Sequence, residues 1–253
     1  MEYAVTIFYL KEYFFPMGCG RCGKALNNPL DAYYGLCESC RTFLFSVLTD
    51  DRRCAVCGRP LITEQNLCLT CRENEGHIYN EFFVKFRKLF PYTGKFKIVL
   101  GSYKFKKSLG IGNLFARYLL YTVNTFYPEI FNSQTSAWVP VPPRPGKIKN
   151  QGWDQMEYLA KLLEKSFRQA EDNSRLLPVC RCLKRLHSRT QKVLNREERS
   201  KNLKGRILCI KKPPRNAILF DDVITTGATL NTCASALIEA GAEKVYGISL
   251  FYD

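Results

Sequence analysis

Apolar positions divide the chain into segments of different period. Leu114, Phe115, Tyr118, Leu119 and Val123 recur at three- and four-residue spacing and predict a helix over 112–127. Met156, Leu159 and Leu163 form one face of a second helix over 154–167, with Asp154 as its N-cap. A third helix is expected over 228–240, stopped by Gly241. Between them, short apolar runs read as strands at 97–105, 137–141, 176–183, 217–220 and 245–251. Asn195 and Glu198 carry the capping-box spacing and predict a short helix ending at Gly205. Residues 72–97 read as a connector with an aromatic, basic segment. Strands alternating with helices imply an α/β fold: a parallel sheet with helices on both faces.

The first 72 residues follow no such period. The opening sixteen, MEYAVTIFYLKEYFFP, are apolar but broken by Glu2, Lys11 and Glu12. They lack the basic start and small-residue cleavage site of a signal peptide, and a short helix or strand packed on the body is expected. Eight cysteines then fall into four CxxC pairs: Cys19/Cys22, Cys37/Cys40, Cys54/Cys57 and Cys68/Cys71. CGRCGKAL…GLCESC and CAVCGRPL…NLCLTC form an internal repeat with inner gaps of 14 and 10 residues. Each unit is too small and too poor in apolar residues to fold by burial alone, so a metal is expected to supply the folding energy. CxxC turns aim two thiolates at one tetrahedral ion, and the Gly after the second Cys permits a tight knuckle. The expectation is two consecutive zinc ribbons paired sequentially; a cross-brace would use the same eight ligands in another order. Cys180, Cys182, Cys209 and Cys233 are scattered and read as buried small residues. The chain divides on this pattern into a module over 1–75 and an α/β domain over 76–253.

Composition adds one asymmetry. Apolar residues make up 46% and charged residues 24%, an ordinary globular balance. No apolar run reaches the roughly 20 residues that span a bilayer, so a protein not embedded in a membrane is expected, and without an export signal the expected compartment is the cytoplasm. The formal charge is +15, and residues 175–215 hold 14 Lys and Arg against Glu197 and Glu198. Two four-thiolate zinc centres would lower the total to about +11. A basic stretch of this density is a candidate for phosphate contacts with nucleic acid, with Lys184, Arg185, Arg189, Lys192, Arg196 and Arg199 as its candidate residues.

The chemistry concentrates at residues 217–230, AILFDDVITTGATL. Ile218, Leu219 and Phe220 suit a central strand covered on both faces. Asp221 and Asp222 follow at its carboxyl end, where open α/β sheets bind ligands. Their carboxylates can accept hydrogen bonds from ribose hydroxyls and help hold a divalent ion. Thr225, Thr226, Gly227, Ala228 and Thr229 then open a helix whose free N–H groups and hydroxyls can wrap a phosphate. No Lys follows Gly227, which separates this turn from the GxxxxGK[ST] nucleotide loop. The pattern therefore predicts a pocket for phosphoribosyl pyrophosphate. No catalytic base stands out: His77 and His187, the only histidines, lie among polar and charged neighbours.

FDDVITTGATL is similar to the signature of type I phosphoribosyltransferases, and most of the chain resembles the ComF (ComFC, GntX) family, associated with natural competence and DNA uptake. The likeness runs through residues 14–23, SYKFKKSLG (102–110), VPVPPRPGKIKNQGWDQ (139–155) and RTQKVLNREERSKNLKG (189–205). Within the last segment it rests on Thr190, Gln191, Leu194, Glu198, Arg199, Asn202 and Gly205. The resemblance implies a zinc-bearing N-terminus on a phosphoribosyltransferase-like sheet, with Mg2+ accompanying the pyrophosphate. It makes the loop after Val141 the pyrophosphate side and residues 184–199 a flap over the site. It departs at Gln151-Gly-Trp-Asp-Gln155, where the family usually reads Arg-Gly-Phe-Asn-Gln. Arg144, Lys147 and Lys149 are the cations that can substitute for the lost Arg. Three functions follow: a competence accessory protein binding single-stranded DNA and the phosphoribosyl ligand beside an uptake machinery, an active transferase, or a ligand-sensing regulator.

Overall fold

Alternation along one strand organises the molecule. In the computed structural model, which describes residues 17–73, 82–132, 135–169, 175–186 and 206–253, that strand is β5 (Asn216–Ile224). Ile218 and Phe220 point to one side of the sheet, Ala217 and Leu219 to the other, and all four are buried. β5 lies between β6 (Lys244–Tyr252) and β2 (Ser136–Pro140), and β1 (Lys85–Pro91) closes the far edge. The order is β1-β6-β5-β2, parallel throughout. A short antiparallel pair, β3 (Leu183–Arg185) with β4 (Ile207–Cys209), stands apart.

Helices cover both faces, as expected. On the Ile218–Phe220 side, α4 (Gly94–Lys104), α5 (Leu109–Phe126) and α7 (Gln155–Arg168) build the larger core with Trp138, Ile248 and Leu250. The Asp154 carboxylate caps α7, accepting from Met156 N at 2.9 Å and Glu157 N at 3.0 Å. On the other side, α8 (Ala228–Glu239) packs Leu230, Cys233, Ala234 and Leu237 against Val139, Leu219 and Val245. The cysteine modules share these cores, one on each face. Residues 19–48, which include α1 (Pro29–Tyr34) and α2 (Glu38–Thr49), join the first core; residues 54–71, ending in α3 (Leu69–Glu73), join the second. α6 (Lys147–Gln151) follows β2. No helix among the described residues is long and apolar enough to cross a membrane.

Three expected elements are corrected. Residues 97–105 are helical, lying mostly within α4: Val99, Leu100 and Tyr103 share its buried face while Ile98 is exposed. An apolar run this short fits either period, and burial on one side decides it. The supposed connector holds β1, whose basic residues are tolerated because Phe86, Leu89 and Phe90 are buried and β6 supplies the pairing. Of 176–183, only Leu183 joins a strand; Val179 makes an isolated bridge to Trp138. The helix or strand expected over 1–16 and the helix expected over 195–203 lie outside the described residues.

Candidate functional site

The repeat in the cysteine sequence is a repeat in structure. Each first CxxC is a hairpin knuckle: Gly23 N donates to Cys19 O, and Gly58 N to Cys54 O, both at 2.9 Å. Both glycines need the left-handed region, at φ 78 and 65. Each second CxxC opens a helix, with Cys40 N donating to Cys37 O and Cys71 N to Cys68 O, both at 3.0 Å. The thiols assemble sequentially: Cys19, Cys22, Cys37 and Cys40 form one group, Cys54, Cys57, Cys68 and Cys71 the other, with all sulfurs of a group within 4.8 Å of one another. Cys22 lies 3.8 Å from Cys37, and Cys57 lies 3.7 Å from Cys68. Tetrahedral zinc with bonds of about 2.3 Å separates its sulfurs by about 3.8 Å, so both donor sets fit that ion.

The second site lies at the carboxyl end of β5. The strand runs on through Ile224, so Asp221 and Asp222 belong to it and alternate across the sheet. Asp222, buried on the α4–α7 side, accepts from Lys104 Nζ at 2.9 Å and from the Gln155 side-chain amide. Lys147 in turn donates to Gln155 Oε1 and, at 2.6 Å, to the Asp154 carboxylate that caps α7. The Tyr103 hydroxyl fixes this corner by donating to Gln155 O at 2.6 Å. Asp221 accepts from Asp222 N at 2.8 Å and faces the α8 side, toward Cys233 and Arg185. Burial, then the neighbouring Asp222 charge, pushes its carboxyl up to about 8. A cation brought to this strand end would relieve that repulsion.

Asp221 and residues 223–230 line a small pocket there, with Thr225 exposed and Gly227 buried. Gly227 is the N-cap of α8 at φ 77, a backbone conformation that a side chain would strain. Thr226 Oγ1 sits 3.4 Å from Ala228 N. The first N–H groups of this twelve-residue helix, which carries Thr229 in its first turn, face the bend of Thr225 and Thr226, which suits an anion.

The other sequence candidates divide. Lys147 is spent on Asp154 and Gln155, while Arg144 and Lys149 are exposed on the loop after β2 and on α6. On β3, Lys184 is exposed and Arg185 half-buried beside Asp221; burial, then Arg144, lowers the Arg185 pKa. Arg189, Lys192, Arg196 and Arg199 lie outside the described residues, as do His77 and His187. Phe83 and Phe86 are buried, the Phe86 ring pressed against Gly247. Lys104 and Gln155 are site residues that pattern reading missed. Both stand in segments already singled out, SYKFKKSLG and QGWDQ, but nothing local separates Lys104 from Lys106 or Lys107.

No family model matches the chain. Among curated proteins it is similar to Competence protein F of Haemophilus influenzae, 28% identical over 229 residues, which cover 89% of this chain and 93% of that one. Competence protein ComFC of Bacillus subtilis is 27% identical over 226 residues, 85% of this chain and 82% of the relative. ComFC of Streptococcus pneumoniae is 25% identical over 221 residues, 85% and 86% of the two chains. Likeness to three competence proteins, at 25–28% identity over a length that must take in cysteine modules and sheet alike, supports the resemblance of the chain to the ComF family.

Proposed function

We propose that the chain is a competence-related protein of the cytoplasm that binds a phosphoribosyl-pyrophosphate-type ligand and single-stranded DNA. The observation that carries the reading is the end of β5 in a chain similar to competence proteins: two carboxylates, then an anion-suited turn at the head of a helix. Asp221 and Asp222 take the ribose hydroxyls and Mg2+, and Thr225 to Thr229 take the 5′-phosphate. Lys104 supplies the cation on the Asp222 side, which answers for the Arg missing from QGWDQ. DNA binding is supported by the +12 stretch over 175–215 and by the shelf beside Lys104. There Phe105 is 80% exposed between lysines, an aromatic face on which a base can stack against a basic surface.

Calorimetry of the zinc-loaded chain tests the pocket: Mg2+-dependent binding of phosphoribosyl pyrophosphate is expected, and Asp221→Ala with Asp222→Ala should abolish it. Unchanged affinity in that double variant sinks the assignment. Neutralising Lys184, Arg185 and Lys192 together should weaken oligothymidine binding and reduce its salt slope by about 2–3; an unaltered slope rejects the DNA surface. The same pocket favours a second reading, an active transferase, and pyrophosphate release on a screen of bases is its signature. Ligand binding without release is the signature of a sensor.

A further inference from the structure

Two arginines meet where the second cysteine module docks on β1. Arg53 is fully engaged. Its Nε donates to Asp50 O at 3.0 Å, and its Nη1 to Gly58 O at 3.0 Å and Lys88 O at 2.7 Å. Its Nη2 reaches Val47 O and Leu48 O. Arg87 is the opposite case. Its guanidinium lies 3.2 Å above the centre of the Phe126 ring, and its Nε and Nη2 are buried with no hydrogen-bond partner among the described residues.

Those two nitrogens share one edge of the guanidinium, the edge that offers two parallel N–H bonds to both oxygens of one oxyanion. Burial, then the charge of Arg53, lowers the Arg87 pKa to about 10, which leaves it protonated at neutral pH. A charged, unfilled fork is costly to bury. The same side chain lines a cavity of about 340 Å³, between Asp51, Ala55 and Val56 of the module and Phe126 and Tyr127 at the end of α5. Lys85, also in the lining, is paired with Glu129 at 2.7 Å. Asp51 is the carboxylate of the lining and forms no ion pair with Arg87 among the described residues.

We propose that this cavity is a second anion site, taking the phosphate of a nucleotide on the fork of Arg87. Two adjacent guanidiniums against one exposed carboxylate favour a doubly charged phosphate over a carboxylate ligand. The volume is of the order that holds a small ligand rather than an ion alone, and Ala55, Val56 and Phe126 offer its apolar part a wall. Solvent does not reach Nε or Nη2 in the present rotamer. The fork therefore meets its ligand by turning off Phe126 into the cavity, exchanging a ring contact for two charged hydrogen bonds.

Calorimetry of the full zinc-loaded chain with inorganic phosphate tests this, with stoichiometry as the readout. Arg87→Met keeps an apolar stem on Phe126 and should remove one phosphate per chain, whether or not the turn after β5 binds another. Its melting temperature without phosphate should not fall, since an unpaired charge is gone. Arg87→Lys keeps the charge without the fork and should weaken the site about ten- to hundredfold. A parallel loss of dTMP binding marks a free nucleotide as the source; loss confined to 5′-phosphorylated oligothymidine marks the terminal phosphate of a strand. Phosphate stoichiometry and affinity unchanged in both variants overturn the proposal.

Discussion

The knuckle around Cys19 and the knuckle around Cys54 make the same hydrogen bonds and stand in different surroundings. Cys19 N donates to Lys24 O at 2.7 Å and Cys54 N to Arg59 O at 2.8 Å; Leu26 N closes on Met17 O and Leu61 N on Arg52 O. Beyond that the modules part. The first carries a twelve-residue helix, α2, whose Leu44 and Leu48 are fully buried in the larger core. The second ends in a five-residue helix and adds Leu61 to the smaller one. Arg53 ties the second to β1; its equivalent in the first is Gly18, as the matched bridges Gly18↔Ala25 and Arg53↔Pro60 show. Ligand spacing thus governs the inside of a module, and residues outside the repeat govern where it docks.

The strongest way to break the comparison is to empty one centre at a time. Zinc binding supplies small modules with about 10 kcal/mol or more of folding energy, so Cys40→Ser and Cys71→Ser should each leave about one zinc per chain. Their effects on the fold should differ. Cys40→Ser releases α2 from the larger core and should prevent cooperative unfolding, whereas Cys71→Ser should leave a folded chain with a lower melting temperature. Calorimetry beside elemental analysis reads both, and the reverse order would show that the modules do not depend on their cores as argued.

Arg53→Ala comes next. Five backbone carbonyls lose a charged donor, among them the C-terminal carbonyls of α2 that otherwise have no intrahelical partner. A loss of about 3 kcal/mol or more is expected in urea unfolding. Zinc content should stay at two, because the ligands themselves are untouched.

The two knuckle glycines make a finer test, since motif and φ match and only the environment differs. A Cβ on Gly23 meets nothing within 4 Å, so Gly23→Ala pays the left-handed backbone alone, about 1 kcal/mol. A Cβ on Gly58 would sit 2.6 Å from Arg87 Cα and 2.8 Å from Phe86 O, both backbone atoms. Gly58→Ala should therefore cost about 2–4 kcal/mol, by pushing the second module off β1. Equal losses in the two variants would mean that this contact carries no stability.

What the sequence made legible was local. α5, α7 with its Asp154 cap, the sequential cysteine groups and the strand–turn–helix at β5 each rest on a pattern within some twenty residues. β1 escaped because its identity comes from β6, far along the chain, and its own residues read Lys-Phe-Arg-Lys. α4 escaped because an Ile-Val-Leu run fits strand or helix until one side is buried. The acidic pair was legible as residues but not as geometry: only the continuation of β5 to Ile224 sends Asp221 and Asp222 to opposite faces. Lys104 and Gln155 meet Asp222, and Arg53 meets Lys88 O, through tertiary contacts that no spacing encodes.

The smallest expected effect concerns a feature that the first module has and the second lacks. Arg21 stands inside the first CxxC where the second has Val56, and its Nη1 lies 3.3 Å from Cys40 Sγ with its guanidinium 4.2 Å above Phe43. An N–H donor on a thiolate favours the charged, metal-binding form. Arg21→Ala should therefore weaken the first centre selectively, by about 1 kcal/mol or some fivefold, while costing the fold no more than the lost ring contact. Competition with a chelator, followed by counting zinc released, separates the two centres. Faster release of one zinc with the other unchanged is expected, and equal acceleration of both would place the effect of Arg21 on the whole fold rather than on Cys40.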